Sequence, residues 1–388
     1  MRDITVVGAS LAGLSTVRAL REQAFEGRIV VVGEEKHAPY DRPPLSKEFL
    51  AGTASESDIS LVEPDDTDLD VEWRLGRTAT ALDTAGRAVV LDDGEHLASD
   101  AVVLATGARA RKLSSEALKG VHTLRTLDDA RALKTDLVAG SRLVVIGAGF
   151  IGAEVASTAA GLGVEVDVVE AAAVPLQRAL GTEMGQTCAR LHAANGVRLH
   201  CGVGVSRLIG SPRVTGVLLD DGRELPADAV VVGVGAAPNV EWLEGSGLSL
   251  DNGVVTDARG MTGVSSVVAV GDCANSHRYY TGGRLRLEHW TNALQQPVAA
   301  ASALLGTAHS LPAHHAVPYF WSDQYGYKIQ FAGHRAADGS LRIEEGDPES
   351  GDFLALFLDA SEAPVGVLGI GRPRPFARWR RELAKRLS

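Results

Sequence analysis

Cysteine is scarce in this 388-residue chain: the three present, Cys188, Cys201 and Cys273, stand far apart, with no C-x-x-C or C-x₄-C pair to act as a dithiol or hold a metal. That spacing points to a reducing compartment. Basic residues are also short, with 38 Lys and Arg against 49 Asp and Glu and a net charge of −11, which argues against a nucleic-acid binder because phosphate neutralisation needs the opposite balance. No apolar run approaches the roughly 18 residues that span a bilayer. Met1-Arg2-Asp3 leads directly into Ile4-Thr5-Val6-Val7, which predicts no signal segment and a cytoplasmic protein. With 45% hydrophobic and 22% charged residues the chain has an ordinary globular composition, and its length exceeds one core, so two or three domains are expected.

What is present in abundance is glycine in a repeated pattern. Ile4 to Gly8 reads as a buried strand, then Gly8-Ala9-Ser10-Leu11-Ala12-Gly13 opens a helix to about Gln23, and a strand Arg28 to Val32 ends at Glu34. Leu143 to Gly147, Gly147-Ala148-Gly149-Phe150-Ile151-Gly152, a helix to about Leu162 and a strand Glu165 to Val169 ending at Glu170 repeat that order. Both are βαβ units of the dinucleotide-binding type. The first Gly permits the tight turn, the second lets the backbone approach a pyrophosphate, and the third lets helix pack on strand, while the helix N-terminus offers free N–H groups. An acid about 20 residues on can hydrogen-bond a ribose. Ser10 stands where the first copy should have its second Gly, so that loop has to tolerate a small side chain. Two such units in one chain predict electron traffic between FAD and a nicotinamide. Glu170, followed by Ala171, Ala172 and Ala173 rather than Arg or Lys, favours NADH over NADPH.

Ala101 to Gly107 and Ala229 to Gly235 are buried-strand patterns, each expected to close one nucleotide-binding sheet. A third, Val267 to Val270, runs into Gly271-Asp272-Cys273-Ala274, where Asp272 is either a contact to the flavin ribityl chain or a helix N-cap. Tyr40-Asp41-Arg42-Pro43-Pro44-Leu45-Ser46-Lys47, Ala105-Thr106-Gly107, His122-Thr123-Leu124-Arg125-Thr126, Gly271-Asp272-Cys273-Ala274 and Glu288-His289-Trp290 follow in that order. Together they resemble the FAD-dependent NADH:ferredoxin reductases of the putidaredoxin reductase and biphenyl dioxygenase ferredoxin reductase type, over nearly the whole chain.

The resemblance implies an α/β, glutathione-reductase-like fold: two Rossmann-type nucleotide-binding domains plus a small α+β C-terminal domain. The NADH domain would be inserted between two pieces of the FAD domain, with boundaries near residues 111, 236 and 312. It further implies hydride transfer from NADH to FAD and single electrons onward to an iron–sulfur ferredoxin that feeds a monooxygenase or Rieske dioxygenase. For FAD it adds Ala12, Glu34, Arg42, Lys47, Ala79, Arg125, Asp272 and Trp290 to Gly8, Ser10, Gly13, Ala105, Thr106, Gly107 and Gly271. For NADH it adds Ile151, Glu154, Glu170, Arg178, Gly233 and Gly235 to Gly147, Gly149 and Gly152. Lys47 and Glu154 come from different units and are the candidate catalytic pair, a buried ion pair where the cofactors face each other; the alternative for Lys47 is a solvated residue at a helix start. No thiol lies near Arg42-Pro43-Pro44-Leu45, so the electron acceptor is expected to be external. Rubredoxin or quinone reductases of the same fold, and flavoproteins resembling the apoptosis-inducing factors, are the rival readings.

Beyond Leu311, the run Val317 to Tyr325 concentrates aromatics in a chain with only 5%. Lys328 to Gly333 and Phe353 to Leu358 read as strands of a small antiparallel sheet with a terminal helix. Packing on the FAD domain is the simple role for those aromatics. Arg372, Arg374, Arg378, Arg380, Arg381, Lys385 and Arg386 face only Glu382, either as a patch that steers an acidic ferredoxin or as a solvated terminal helix.

Overall fold

The computed structural model describes residues 1–113, 118–278, 282–307 and 317–387. Continuous runs of branched apolar residues build its two main sheets, as expected of strands covered on both faces. The first sheet runs in the order Val267–Ala269, Ala101–Leu104, Asp3–Val7, Arg28–Gly33, Val71–Leu75, every pairing parallel. Val6, Val31, Val103 and Val268, one from each of four of its five strands, have no exposed surface. The second sheet repeats the design with Arg198–Cys201, Glu165–Glu170, Arg142–Ile146, Ala229–Val232 and Val121–His122, again all parallel.

The first sheet therefore takes strands from both sides of the second along the chain. The exit strand Ala108–Ala110 and the return strand Ala236–Pro238 pair antiparallel, so the chain leaves and re-enters at one place. The sequence-based boundary near residue 312 lies outside the described residues. Beyond it, Tyr319–Gln324, Tyr327–Gly333, Pro364–Ile370, Asp352–Leu358 and Ser340–Asp347 form an antiparallel sheet in that spatial order. The helix Pro373–Leu387 covers it by burying Phe376 and Leu383.

The aromatic run does more than pack on the first unit. Phe320 lies 4.4 Å from Phe150 of the second unit, ring to ring, while Trp321 lies 6.0 Å from Trp290 of the first. The second-unit helix Gln177–Ala194 shares a core with this sheet through Leu180, Met184, Phe331 and Phe353. The C-terminal sheet thus leans on both nucleotide-binding units.

Candidate active site

Each glycine loop sits at the carboxyl end of its sheet, where ligands bind in open parallel folds. Gly8 and Gly147 turn the chain with φ of +123° and +102°. A Cβ at Gly8 would lie 2.0 Å from the Ala105 carbonyl oxygen, and one at Gly147 2.4 Å from that of Gly233. The third glycines repeat the match: a Cβ on Gly13 would meet the Gly8 oxygen at 1.9 Å, and one on Gly152 the Gly147 oxygen at 2.1 Å. Backbone contact, not a general wish for flexibility, requires glycine at these four places.

The middle positions behave differently. A Cβ on Gly149 would meet nothing within 4 Å, so the space beside it is open to a ligand. Ser10 occupies the corresponding N-cap, and neither it nor Gly149 makes a side-chain capping bond to its helix, Leu11–Glu22 or Phe150–Gly161. Both helices present an uncapped N-terminus, the arrangement that receives a phosphate. These cradles fit two dinucleotides.

The two strand-end acids differ. Glu34 is exposed and makes no side-chain hydrogen bond among the described residues. Glu170 accepts from the backbone N–H groups of Ala148 and Ala172, both at 2.8 Å, which pins its carboxylate beside the second loop. Ile151 and Val234, 45% and 40% exposed, are two of the six large apolar residues left open to solvent among the described residues, and both belong to the second cradle. Gly233 donates to the Ile146 oxygen, Gly235 adopts φ +101°, and Arg178 stands exposed in the first turn of Gln177–Ala194.

Around the first cradle the candidates are linked. Ala12 is buried beneath Gly271, whose Cβ would touch it at 3.0 Å, and the Gly271 N–H donates to Gln296. Asp272 lies inside the short 3₁₀ turn Gly271–Cys273, with Val270 as its cap, so the capping alternative does not hold. Its carboxylate instead pairs with Arg125 at 2.5 Å. Arg42 donates to the Arg125 carbonyl and pairs with Glu35 at 2.6 Å. Trp290 donates its indole N–H to Asp41 at 2.7 Å, and burial holds that carboxyl above its ordinary range. Thr106 and Gly107 are locked by Asn239, whose side chain donates to the Thr106 carbonyl and whose backbone donates to that of Gly107. Ala105 hydrogen-bonds Val7, and Ala79 shares a core with Val7 and Val32.

The two units meet at Lys47 and Glu154. Their charges stand 3.1 Å apart, with side chains 11% and 4% exposed. Lys47 is therefore not a solvated residue. Ser46 donates to the other carboxylate oxygen at 2.5 Å, and Thr158 donates to the Ser46 carbonyl. Ser46, Asn239, Gln296, Glu35 and Asp41 carry no sequence signal of their own beyond lying in or near a quoted motif.

Residues 2–297 match the pyridine nucleotide-disulphide oxidoreductase family, and residues 319–388 match a reductase C-terminal domain. The chain belongs to the pyridine nucleotide-disulphide oxidoreductases. It is 39% identical to a chlorobenzene dioxygenase ferredoxin reductase component of Cupriavidus sp. (strain PS12), over 96% of this chain and 90% of that one. It is 36% identical to a putidaredoxin reductase of Pseudomonas putida, over 99% and 92%. A chain in the crystal structure of a covalent putidaredoxin reductase–putidaredoxin complex superimposes with a TM-score of 0.94 at 34% identity, covering 99% of this chain and 93% of that one.

As a pyridine nucleotide-disulphide oxidoreductase the chain lacks the sulfur chemistry in the family's description. All three cysteines are unpaired. Burial pushes the Cys188 thiol up to about 12 and raises those of Cys201 and Cys273, so none is poised as a thiolate relay. Among the described residues no cluster of His, Cys, Asp and Glu could hold a metal, and no helix is long and apolar enough to cross a membrane.

Proposed function

We propose that this chain is an FAD-dependent NADH:ferredoxin oxidoreductase. The observation that carries the reading is the pair of like-built glycine cradles joined by the buried Lys47–Glu154 contact, with no activated thiol between them. Bound FAD supplies two-electron acceptance from the nicotinamide and one-electron release to an iron–sulfur cluster. The residues' task is positioning. Gly8, Ser10, Ala12, Gly13, Glu34, Ala79, Ala105, Thr106, Gly107 and Gly271 line the FAD cradle, while Arg42, Arg125 and Asp272 hold one another rigid around it and Asp41 fixes Trp290. Gly147, Gly149, Ile151, Gly152, Arg178, Gly233 and Gly235 receive NADH. Glu170 opposes a 2′-phosphate by charge, which selects NADH over NADPH. Lys47 and Glu154 place a fixed dipole where the two cradles converge.

In this reading residues 1–110 and 236–311 form the FAD domain, 111–235 the NADH domain and 312–388 the C-terminal domain. The names of the relatives support a small iron–sulfur ferredoxin as acceptor and a monooxygenase or Rieske dioxygenase beyond it. A cytoplasmic setting accords with NADH as donor and with three unpaired thiols. The test is anaerobic titration of the yellow protein with NADH, followed by purified ferredoxin, rubredoxin or quinone. Bleaching by NADH, and reoxidation fastest with ferredoxin, is the expected result. A protein that NADH leaves yellow, or that rubredoxin or a quinone reoxidises faster, removes the proposal.

A further inference from the structure

The carboxylate of Glu154 is shared by three parts of the chain, and one contributor lies outside both nucleotide-binding units. Ser322, on the C-terminal strand Tyr319–Gln324, donates its hydroxyl to Glu154 Oε1 at 2.8 Å, the same oxygen that faces Lys47 Nζ. The next backbone N–H, that of Asp323, reaches that oxygen at 3.3 Å. Ser322 has no exposed surface and Gln324 is 1% exposed. Behind the hydroxyl, Gln324 donates its amide to Ser322 Oγ at 3.0 Å.

That second bond sets the direction of the first. A serine hydroxyl has one hydrogen. With Gln324 donating to the oxygen, the hydrogen is left for Glu154. The reverse orientation would turn the Ser322 hydrogen toward a neutral amide oxygen and take it from a charged carboxylate, the poorer of the two bonds by about twofold. Residues 322 and 324 fall on one face of their strand because side chains alternate, which brings the Gln324 amide to the Ser322 hydroxyl. Tyr325 adds a backbone anchor by donating its N–H to Ser157 on that helix at 2.7 Å.

From this geometry we infer that Ser322 is a positioning residue for the Lys47–Glu154 pair, with Gln324 fixing its hydroxyl. The C-terminal sheet thereby enters the reaction centre: it holds the carboxylate oxygen where the ammonium meets it. The inference rests on the reductase reading for its kinetic consequence, but the chain of bonds is independent of it.

Two measurements decide it. In the FAD-loaded full-length protein, Ser322→Ala should slow anaerobic bleaching by NADH about tenfold, the scale of a modest loss of orientation, with the NADH concentration for half-maximal rate changed less than twofold. Ser322→Thr, which restores the hydroxyl, should recover the rate to within about twofold. Urea midpoints of wild type, Ser322→Ala, Lys47→Met and the double variant form a cycle without any activity readout. The two changes should be non-additive, because both partners share one oxygen. Additive midpoints, or an unchanged bleaching rate in Ser322→Ala, overturn the inference. Wild-type protein that NADH does not bleach would overturn the reductase reading instead and leave the cycle to decide the part of Ser322.

Discussion

His192 shows how burial outweighs a favourable field. It lies in the last turn of Gln177–Ala194, where the helix C-terminus favours a cation, yet it has no exposed surface and burial lowers its pKa to about 4. The ring is therefore neutral at physiological pH, with Nδ1 sharing a hydrogen bond with the Tyr325 hydroxyl at 2.7 Å and Nε2 buried without a partner among the described residues. The folded value lies below the ordinary 6.5, so between pH 6.5 and 4 the unfolded chain binds a proton that the folded chain does not. Stability contributed by this residue is complete above that window and is lost as pH falls through it, on the order of 3 kcal/mol in full. His192→Gln should remove that part of the acid sensitivity. Urea unfolding at pH 7 and pH 4 would show the variant gaining on wild type at the lower pH, and parallel losses in the two proteins would count against the assignment.

At the scale of elements, the two glycine loops separate stability from ligand affinity. Gly152→Ala puts a methyl 2.1 Å from the Gly147 carbonyl, and the roughly 1 kcal/mol of helix propensity gained is smaller than the 1–3 kcal/mol typical of an overpacked contact. Unfolding should come at lower urea. Gly149→Ala meets no protein atom within 4 Å and should cost under about 1 kcal/mol as an altered N-cap, while NADH affinity falls about tenfold because the methyl fills the space left for phosphate. Equal loss of stability in both variants, with NADH affinity intact in Gly149→Ala, would remove the cradle from the second site. Both βαβ units were legible in the sequence because their strands are buried on both faces and read as unbroken apolar runs, and because backbone collisions dictate glycine at Gly8, Gly13, Gly147 and Gly152. The shell of Glu154 was not. Ser46 and Ser322 stand 108 and 168 residues from it, and a buried serine that serves a distant carboxylate looks like any other strand serine until the fold closes. Asp272 was ambiguous for a related reason, since its partner Arg125 arrives from 147 residues away.

Across the whole molecule the charge is uneven, and the structure sorts the basic residues of the C-terminal helix. Arg372 pairs with Asp352, Arg378 with Glu345 and Lys385 with Glu382, while the Arg380 guanidinium stacks 4.0 Å over the Tyr319 ring. Arg374, Arg381 and Arg386 are exposed and form no ion pair among the described residues. They leave net positive charge on the terminal helix of a chain that carries −11 overall, so an acidic partner is repelled elsewhere and drawn there. The same helix connects inward through Arg380: Tyr319 stacks on Trp321 at 5.9 Å, and Trp321 stands 6.0 Å from Trp290, whose indole is fixed by Asp41. A ferredoxin drawn to this helix would thus dock at the outer end of an aromatic run that begins at the candidate flavin site. Arg378 is a poor probe because Glu345 already offsets it. Arg374→Glu with Arg381→Glu should raise the apparent KM for an acidic ferredoxin about tenfold at low ionic strength, with the effect shrinking as salt screens exposed charge over about 10 Å, and should leave the KM for NADH within twofold. Steady-state assays at two salt concentrations check this: a rise that salt does not reduce, or one shared equally by NADH, places the docking surface elsewhere.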